Sequence, residues 1–373
     1  MKFSIYKSVL LKSLNSVGRA ASAHSPLPVL SGIKLTVNEN GLVLLASDTN
    51  ITIQEIIKSN DDTKLEIHEQ GSVVLDSRYI LEAVRKLDSL YVNIEIMGGA
   101  LTRISGNNAE YEINGTPASS YPNIDLYKPE VHFSMPAYKL REIISQTAFA
   151  ASTTEDRPIF TGVNFVLNGG VLTAVSTNSY RLAKKTTEIS NMNDEFNITI
   201  PATNLNEVSK TIVDNIDVNV YVSNKIVQFY INDTLIQSRL VDGLFPDVNR
   251  LIPSEFGYEL TVNAHDLISS IDRSSFLRSD GFWNVRLESS DEEIVISSRS
   301  QEIGSSHEVL SPIDYKGGKF KIAFNGRYMI EALQSFKTEE VKILFVGEMQ
   351  AFILVNPNDD SVVQLVLPVR TFD

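Results

Sequence analysis

The stretch Val29-Leu30-Ser31-Gly32-Ile33-Lys34-Leu35-Thr36-Val37 returns about 130 residues later as Ile159-Phe160-Thr161-Gly162-Val163-Asn164-Phe165-Val166-Leu167. Both are extended, apolar-alternating stretches, and the glycine keeps its place. Each runs through Gly41 or Gly170 into a second strand, which ends on Ser47-Asp48-Thr49-Asn50 in one copy and Ser176-Thr177-Asn178-Ser179 in the other. A looser third copy runs Phe282-Trp283-Asn284-Val285-Arg286-Leu287 and then Ile294–Ser298. Alternation with period two marks half-buried strands, and its return at long range makes the chain an array of one repeated unit.

Working outward, each copy is preceded by a short strand, a small polar residue and an amphipathic helix. Phe3-Ser4-Ile5 leads into Lys7–Arg19, His132-Phe133-Ser134 into Ala137–Ala150, and Leu260-Thr261-Val262 into Ala264–Leu277. The same signal recurs halfway between: Val73-Val74-Leu75 into Ser77–Leu87, Ile198-Thr199-Ile200 into Thr203–Ile212, and Phe320-Lys321-Ile322 into Gly326–Phe336. The odd and even members differ, so the true period is two units. Each even half closes on a proline turn: Tyr121-Pro122-Asn123, Phe245-Pro246-Asp247 and Leu367-Pro368-Val369. These turns predict three domains, 1–126, 127–253 and 254–373, each a doubled strand–helix–sheet unit. Strands with one wet face, as in Asn93-Ile94-Glu95-Ile96, and helices with an apolar stripe (Leu10, Leu14, Val17; Leu140, Ile144, Ala148) predict an α+β fold. The simplest layering puts a domain's helices on one sheet face.

The 373 residues carry 43% hydrophobic and 21% charged side chains, ordinary for a globular protein. No apolar run is long enough to span a bilayer, and Met1–Tyr6 reads as a strand, not a signal peptide. There is no cysteine, which excludes disulfides and thiolate chemistry and fits a reducing compartment. His24, His68, His132, His265 and His307 show no metal-ligand spacing; His132 and His265 read as structural residues at strand–helix junctions. Neither a phosphate-binding glycine loop nor a nucleophile elbow is present. Asp61-Asp62 and Asp291-Glu292-Glu293 read as solvated turns, and Asp359-Asp360 as a hairpin tip. No cofactor or metal is expected. An enzyme using a cleft between repeats stays open, because active sites can assemble without motifs.

A net charge of −13 argues against tight neutralisation of phosphates. Taken as Lys7–Arg19, Asp76–Asp88, Ala137–Ala150, Asn204–Asp214, His265–Arg278 and Asn325–Lys337, the six helical segments nevertheless sum to +4, which leaves −17 on everything else. Lys12 with Arg19, and Arg78 with Arg85, each share a helix face. A mildly basic helical layer opposite an acidic sheet layer can face a polyanion on one side, weakly and in a salt-sensitive way.

Several stretches together resemble the bacterial DNA sliding clamps, the beta subunits of DNA polymerase III. They are Met1-Lys2-Phe3 with Leu10-Leu11, Leu27-Pro28-Val29-Leu30, Thr177-Asn178-Ser179-Tyr180-Arg181-Leu182-Ala183, Leu240-Val241-Asp242-Gly243-Leu244-Phe245-Pro246-Asp247 and Leu367-Pro368-Val369-Arg370-Thr371. The match runs the whole length. The resemblance implies a head-to-tail homodimer, closed as a ring with helices inside and sheets outside, that encircles double-stranded DNA without sequence specificity. It is implied to be a non-catalytic processivity factor, cytoplasmic and nucleoid-associated. Its further partners would be the replicative polymerase, the clamp loader, repair polymerases and mismatch-repair proteins, bound through short linear motifs.

The resemblance also implies sites. A peptide pocket would use Phe160, Thr177, Tyr180, Arg181, Leu182, Pro246, Arg250, Leu251, Met349, Val366, Leu367, Pro368, Val369 and Arg370. The set is apolar, framed by cations, and lies where the second repeat diverges from the first. Burying one Leu and one Phe of a peptide would give about 1.5–3 kcal/mol each, which after ordering costs suggests micromolar binding. Lys12, Arg19, Arg78, Arg85 and Lys139 would line the DNA face. Arg78, Tyr111 and Ile113 would meet Phe276 and Leu277 of a second copy, although a Phe-Leu pair on a helix also suits a core. Family members often carry Asp-Gly-His or Asp-Gly-Tyr where this chain has Asn178-Ser179-Tyr180, so the lost glycine is expected to restrict the turn and reshape the pocket edge. His24 stands where some relatives have a DNA-reaching arginine, and Phe372-Asp373 is expected near the pocket rim. The residues leave one more reading open: a repeat-built interaction scaffold that never encircles DNA.

Overall fold

The computed structural model describes residues 1–373 except 23, 24, 26, 191–193, 214, 279–282, 290–292 and 371–373. His24, Phe282, Asp291-Glu292, Thr371 and Phe372-Asp373 therefore lie outside the described residues. The described residues form six α-helices: α1 (Lys7–Val17), α2 (Ser77–Lys86), α3 (Ala137–Thr147), α4 (Ala202–Thr211), α5 (Ala264–Arg273) and α6 (Gly326–Ser335). Each odd helix tightens into a three-residue 3₁₀ turn, Gly18–Ala20, Ala148–Ala150 and Ser275–Leu277, where the sequence suggested one longer helix. Among the described residues no helix is long and apolar enough to cross a membrane.

The strand-to-helix junctions explain the recurring small polar residue. Asp76, Asn263 and Asn325 sit in extended backbone, and each side chain accepts two amides of the first helical turn. A side-chain oxygen there satisfies donors that otherwise have no partner in the helix. The odd helices share a further tie. The first amides of α1, α3 and α5 donate to the carbonyls of Leu90, Ile216 and Glu339, each just before the first strand that follows the even helix of the same domain.

Residues 1–138 with 210–240 form one compact unit, and 139–209 with 241–373 form the other. In the first, Lys2–Tyr6, the leading strand of the odd half, pairs with Tyr91–Gly98 of the even half. Gly71–Asp76, the leading strand of the even half, pairs with Gly32–Asn38 of the odd half. The halves have exchanged leading strands, so a domain holds two sheets and not the single sheet of the simplest layering. The third domain does the same: Tyr258–Asn263 pairs with Glu340–Phe345, and Phe320–Asn325 with Asn284–Ser289. Its core draws Leu260 and Val262 from one sheet, Val285 and Leu287 from the other, Leu267 and Ile271 from α5, and Met329 and Leu333 from α6.

The described strands make two nine-stranded sheets, one of five and one of four. Each nine-stranded sheet passes through a boundary that the sequence placed between domains. In the first unit Ile51–Ile57 pairs with Thr234–Arg239, and in the second Arg181–Glu188 pairs with Asp359–Val366. Both joints couple the third strand after the helix of an odd half to the third strand after the helix of the next domain's even half. The shared glycine of the opening motif permits the close sheet packing: a Cβ on Gly162 would meet Thr199 Cγ2 at 2.5 Å and the Ile200 carbonyl at 2.8 Å.

Candidate functional site

The turn before each joint is built the same way twice. Asp48 Oδ1 accepts the amides of Asn50 and Ile51 at 2.8 Å each, and Ser47 Oγ donates to the Ile51 carbonyl at 3.0 Å. Asn178 Oδ1 accepts the amides of Tyr180 and Arg181 at 3.0 and 3.1 Å, and Thr177 Oγ1 donates to the Arg181 carbonyl at 2.7 Å. The third residue is left-handed in both, with φ 84° at Thr49 and 75° at Ser179. Such a conformation costs a non-glycine residue about 1–2 kcal/mol, and the side-chain hydrogen bonds hold it there. Ser179 thus takes the left-handed conformation that a glycine would.

Past this turn the strand alternates, and the two predicted residues side by side part company. Leu182 faces Leu365 across the joint, and Leu365 faces Ile353 on the next strand. This row packs into one apolar cluster with Phe160, Val175, Phe245 and Val248, the rings of Phe160 and Phe245 meeting edge to face at 5.9 Å. Around it stand exposed apolar side chains: Leu244 (85% exposed), Tyr180 (63%), Leu251, Met349 and Leu367. Pro246, Arg250 and Arg370 are exposed, Pro368 and Val369 half-buried, and Thr177 buried. The C-terminal segment is tied to this face by two main-chain bonds, Leu367 N to the Tyr180 carbonyl (2.9 Å) and Val369 N to the Ala323 carbonyl (2.8 Å).

Arg181 and Val366 are register partners whose side chains point to the opposite, helical face. Val366 belongs to the third domain's core. Arg181 is 7% exposed; it donates to the Glu331 carboxylate and to the Phe149 carbonyl. Its guanidinium lies 4.5 Å from the Tyr328 ring centre and 5.2 Å from that of Phe149. Burial pushes the Glu331 carboxyl up, but the Arg181 and Arg327 guanidiniums outweigh it and hold it below its ordinary value. Arg181 thus anchors this turn to α6 and does not frame the apolar face; Arg250 and Arg370 are the exposed cations left to do so. Sequence reasoning missed Val175, Phe245, Val248, Ile353 and Leu365. Period two from Thr177 could have suggested the first, but the row depends on which distant strand pairs with which.

The five cations assigned to the helical layer are placed unevenly. Lys12 is exposed on α1, and Lys139 is half-buried on α3. Arg19, in the 3₁₀ turn after α1, donates to Thr211 Oγ1 at 2.8 Å. Arg85 on α2 pairs with Glu82. Arg78 donates to Tyr79 Oη at 2.8 Å and lies 4.5 Å from that ring's centre.

The strands at the corresponding position in the two remaining halves, Glu110–Asn114 in the first unit and Gly304–Leu310 in the second, stand at sheet edges with no joint partner among the described residues. Beside the first is a cleft of about 470 Å³ lined by Tyr79, Glu82, Ala83, Lys86, Tyr111 and Ile113. Tyr111 and Ile113 are half-buried on this edge. The α5 side of the second unit presents Phe276 at 63% exposure, while Leu277 is 3% exposed and part of the interior. The Phe-Leu pair therefore divides: Phe276 is a surface residue and Leu277 a core residue.

Comparison with known proteins agrees along the whole chain. Models of the DNA polymerase III beta subunit match in tandem, the N-terminal domain over residues 1–125, the central domain over 134–247 and the C-terminal domain over 249–370. The beta sliding clamp of Bacillus subtilis (strain 168) is 36% identical, with 100% of both chains covered. That of Staphylococcus epidermidis is 35% identical over the same full coverage. The crystal structure of the Bacillus subtilis DNA polymerase sliding clamp superposes with a TM-score of 0.94 at 36% identity over 100% of both chains. The DNA polymerase III beta chain of Streptococcus pneumoniae gives 0.94 at 32% identity, over 99% of this chain and 100% of that one. Fold and repeats thus define a sliding clamp of DNA replication, a processivity factor and not a catalytic enzyme. The chain belongs to the DNA polymerase III beta subunit family.

Proposed function

We propose that two copies of this chain close head to tail into a ring that encircles double-stranded DNA and docks replication and repair proteins on the Leu182–Leu365–Ile353 face. The carrying observation is the arithmetic of joints. Within the chain, the third strand after an odd helix twice pairs with the third strand after the even helix of the next domain. One edge of each kind is left over, Gly304–Leu310 from an odd half and Glu110–Asn114 from an even half. The same joint made twice between two chains uses both edges of both and ends the series, as head-to-tail closure requires. It also removes two exposed strand edges, which otherwise invite uncontrolled pairing. In this seam Phe276 of one chain enters the cleft beside Tyr79, Tyr111 and Ile113 of the other, and Arg78, stacked on Tyr79, belongs to the seam.

Lys12, Arg19, Arg85 and Lys139 supply a weakly positive lining. Weak contacts suit an object that must slide, and closure rather than affinity retains it. The domain boundaries near residues 126 and 254 then fall between equal arcs. The apolar face with Arg250 and Arg370 at its margin suits short peptides of the polymerase, clamp loader, repair polymerases and mismatch-repair proteins. The setting is the cytoplasm, at the nucleoid. The test is retention: protein loaded on circular DNA stays and is released when that DNA is linearised. Equal retention on both forms, or a strictly monomeric mass at micromolar concentration, overturns the reading.

A further inference from the structure

The two joints inside the chain are equivalent by repeat, yet their outer faces carry opposite chemistry. At the second joint the row across three strands is Leu182, Leu365, Ile353. At the first joint the register places Thr52, Gln237 and Gln228 at the same three positions. Gln228 and Gln237 are buried, and what covers them is the chain itself. Gln228 Nε2 donates to the Tyr127 carbonyl at 2.9 Å and to Gln237 Oε1 at 2.7 Å, and Gln237 Nε2 donates to the Asp125 carbonyl at 3.1 Å. The ammonium of Lys128 then lies over two rings of the same sheet face, 4.2 Å from Tyr221 and 5.0 Å from Tyr230. Upstream, Tyr121 and Ile124 pack with Leu30, as Phe245 and Val248 pack with Phe160 at the second joint.

The two linkers differ in length as well. Tyr121 lies ten residues before the strand that opens at Val131, whereas Phe245 lies thirteen before the one that opens at Tyr258. The shorter linker runs without a helical turn across the glutamines. The longer one forms a 3₁₀ turn, Asn249–Leu251, and lifts Arg250 and Leu251 into solvent. Buried amides need partners, and the linker carbonyls at Asp125 and Tyr127 supply them in the manner of an extended peptide laid on a sheet.

We propose that Asp125–Lys128 is a built-in occupant of the first-joint groove, held by Gln228 and Gln237, and that this strap, with the polar row beneath it, limits each chain to one docking groove. The proposal rests on the reading of the second joint as the docking face. The test uses the full-length protein and a labelled hexapeptide ending in Leu-Phe. Unaltered protein binds one peptide per chain, and Leu182→Gln with Leu365→Gln abolishes binding; persistence of binding in that variant refutes the docking reading itself. Thr52→Leu with Gln228→Ile and Gln237→Leu gives the first joint an apolar row. Its expected stoichiometry is two peptides per chain, with chymotryptic cleavage after the exposed Tyr127 accelerated. The single change Gln237→Leu, milder for folding, is expected to accelerate that cleavage about tenfold, the factor that one lost hydrogen bond of this kind allows. Unchanged cleavage in the single variant shows that the glutamines do not hold the strap. A freed linker with stoichiometry still at one shows that the row does not set the number of sites. Either result overturns the proposal.

Discussion

Replacing Phe276 by alanine tests the seam directly. The side chain is 63% exposed in the single chain. Fully burying a phenylalanine contributes about 1.5–3 kcal/mol, so covering the remaining two-thirds contributes roughly 1–2 kcal/mol per seam. A head-to-tail dimer has two identical seams, and the variant loses the ring from both. The loss is then roughly 2–4 kcal/mol per dimer, a weakening of dimerisation of roughly 30- to 700-fold at about 1.4 kcal/mol per decade. Sedimentation equilibrium over a dilution series reads this as a shift of the monomer–dimer midpoint. The chain's own fold should be unaffected, because Phe276 belongs to no core cluster of the described residues. Leu277→Ala is the contrast: Leu277 is buried in the single chain, so its truncation should cost about 2–5 kcal/mol of folding stability. A Phe276→Ala protein with an unshifted midpoint would refute the placement of this ring in the seam, and unfolding instead would show that it is a core residue.

Three further outcomes are expected. Ser179→Gly relieves the left-handed strain of about 1–2 kcal/mol and gives back part of it as unfolded-state entropy, so urea unfolding should show a net gain of about 0.5–1 kcal/mol with peptide docking retained. The Glu331 carboxyl is held below its ordinary 4.5, so its contribution is fully present above that value and is lost as pH falls through the lower folded one; Glu331→Gln should lower stability at neutral pH and flatten its dependence below 4.5, as read from urea midpoints against pH. Deleting residues 367–373 removes the main-chain ties to Tyr180 and Ala323 and should abolish binding of the Leu-Phe peptide while leaving the dimer mass unchanged; loss of the dimer would show that the tail belongs to the seam.

Much of the architecture was legible along the chain because it is local. Period-two alternation, a 3.6-residue apolar stripe and a capping Asp or Asn act within a few residues, so the strand–helix units, their order and their tripling could be read directly. The pairing of odd and even halves was legible too, since the two kinds differ in their turns. The family followed from motifs of the same local kind, such as Leu367-Pro368-Val369-Arg370.

What could not be read is everything that depends on which distant strand becomes a neighbour. The exchange of leading strands, which turns one expected sheet into two, is a choice between pairings of equal local quality. So is the sorting of Arg181 from Leu182. Both lie in one motif, but the sheet sends adjacent residues to opposite faces, one to Glu331 and the other to Leu365. Phe276 and Leu277 separate for the same reason, because a single step along a 3₁₀ turn moves a side chain from solvent to core. The sequence by itself determined the repeated units, their number and the family. Only the tertiary structure decided which copies of the repeat are joined, which of the corresponding strands stand at a sheet edge, and which of two equivalent grooves the linker covers. Burial and hydrogen-bond satisfaction are properties of neighbours in space, and neighbours in space are what folding supplies.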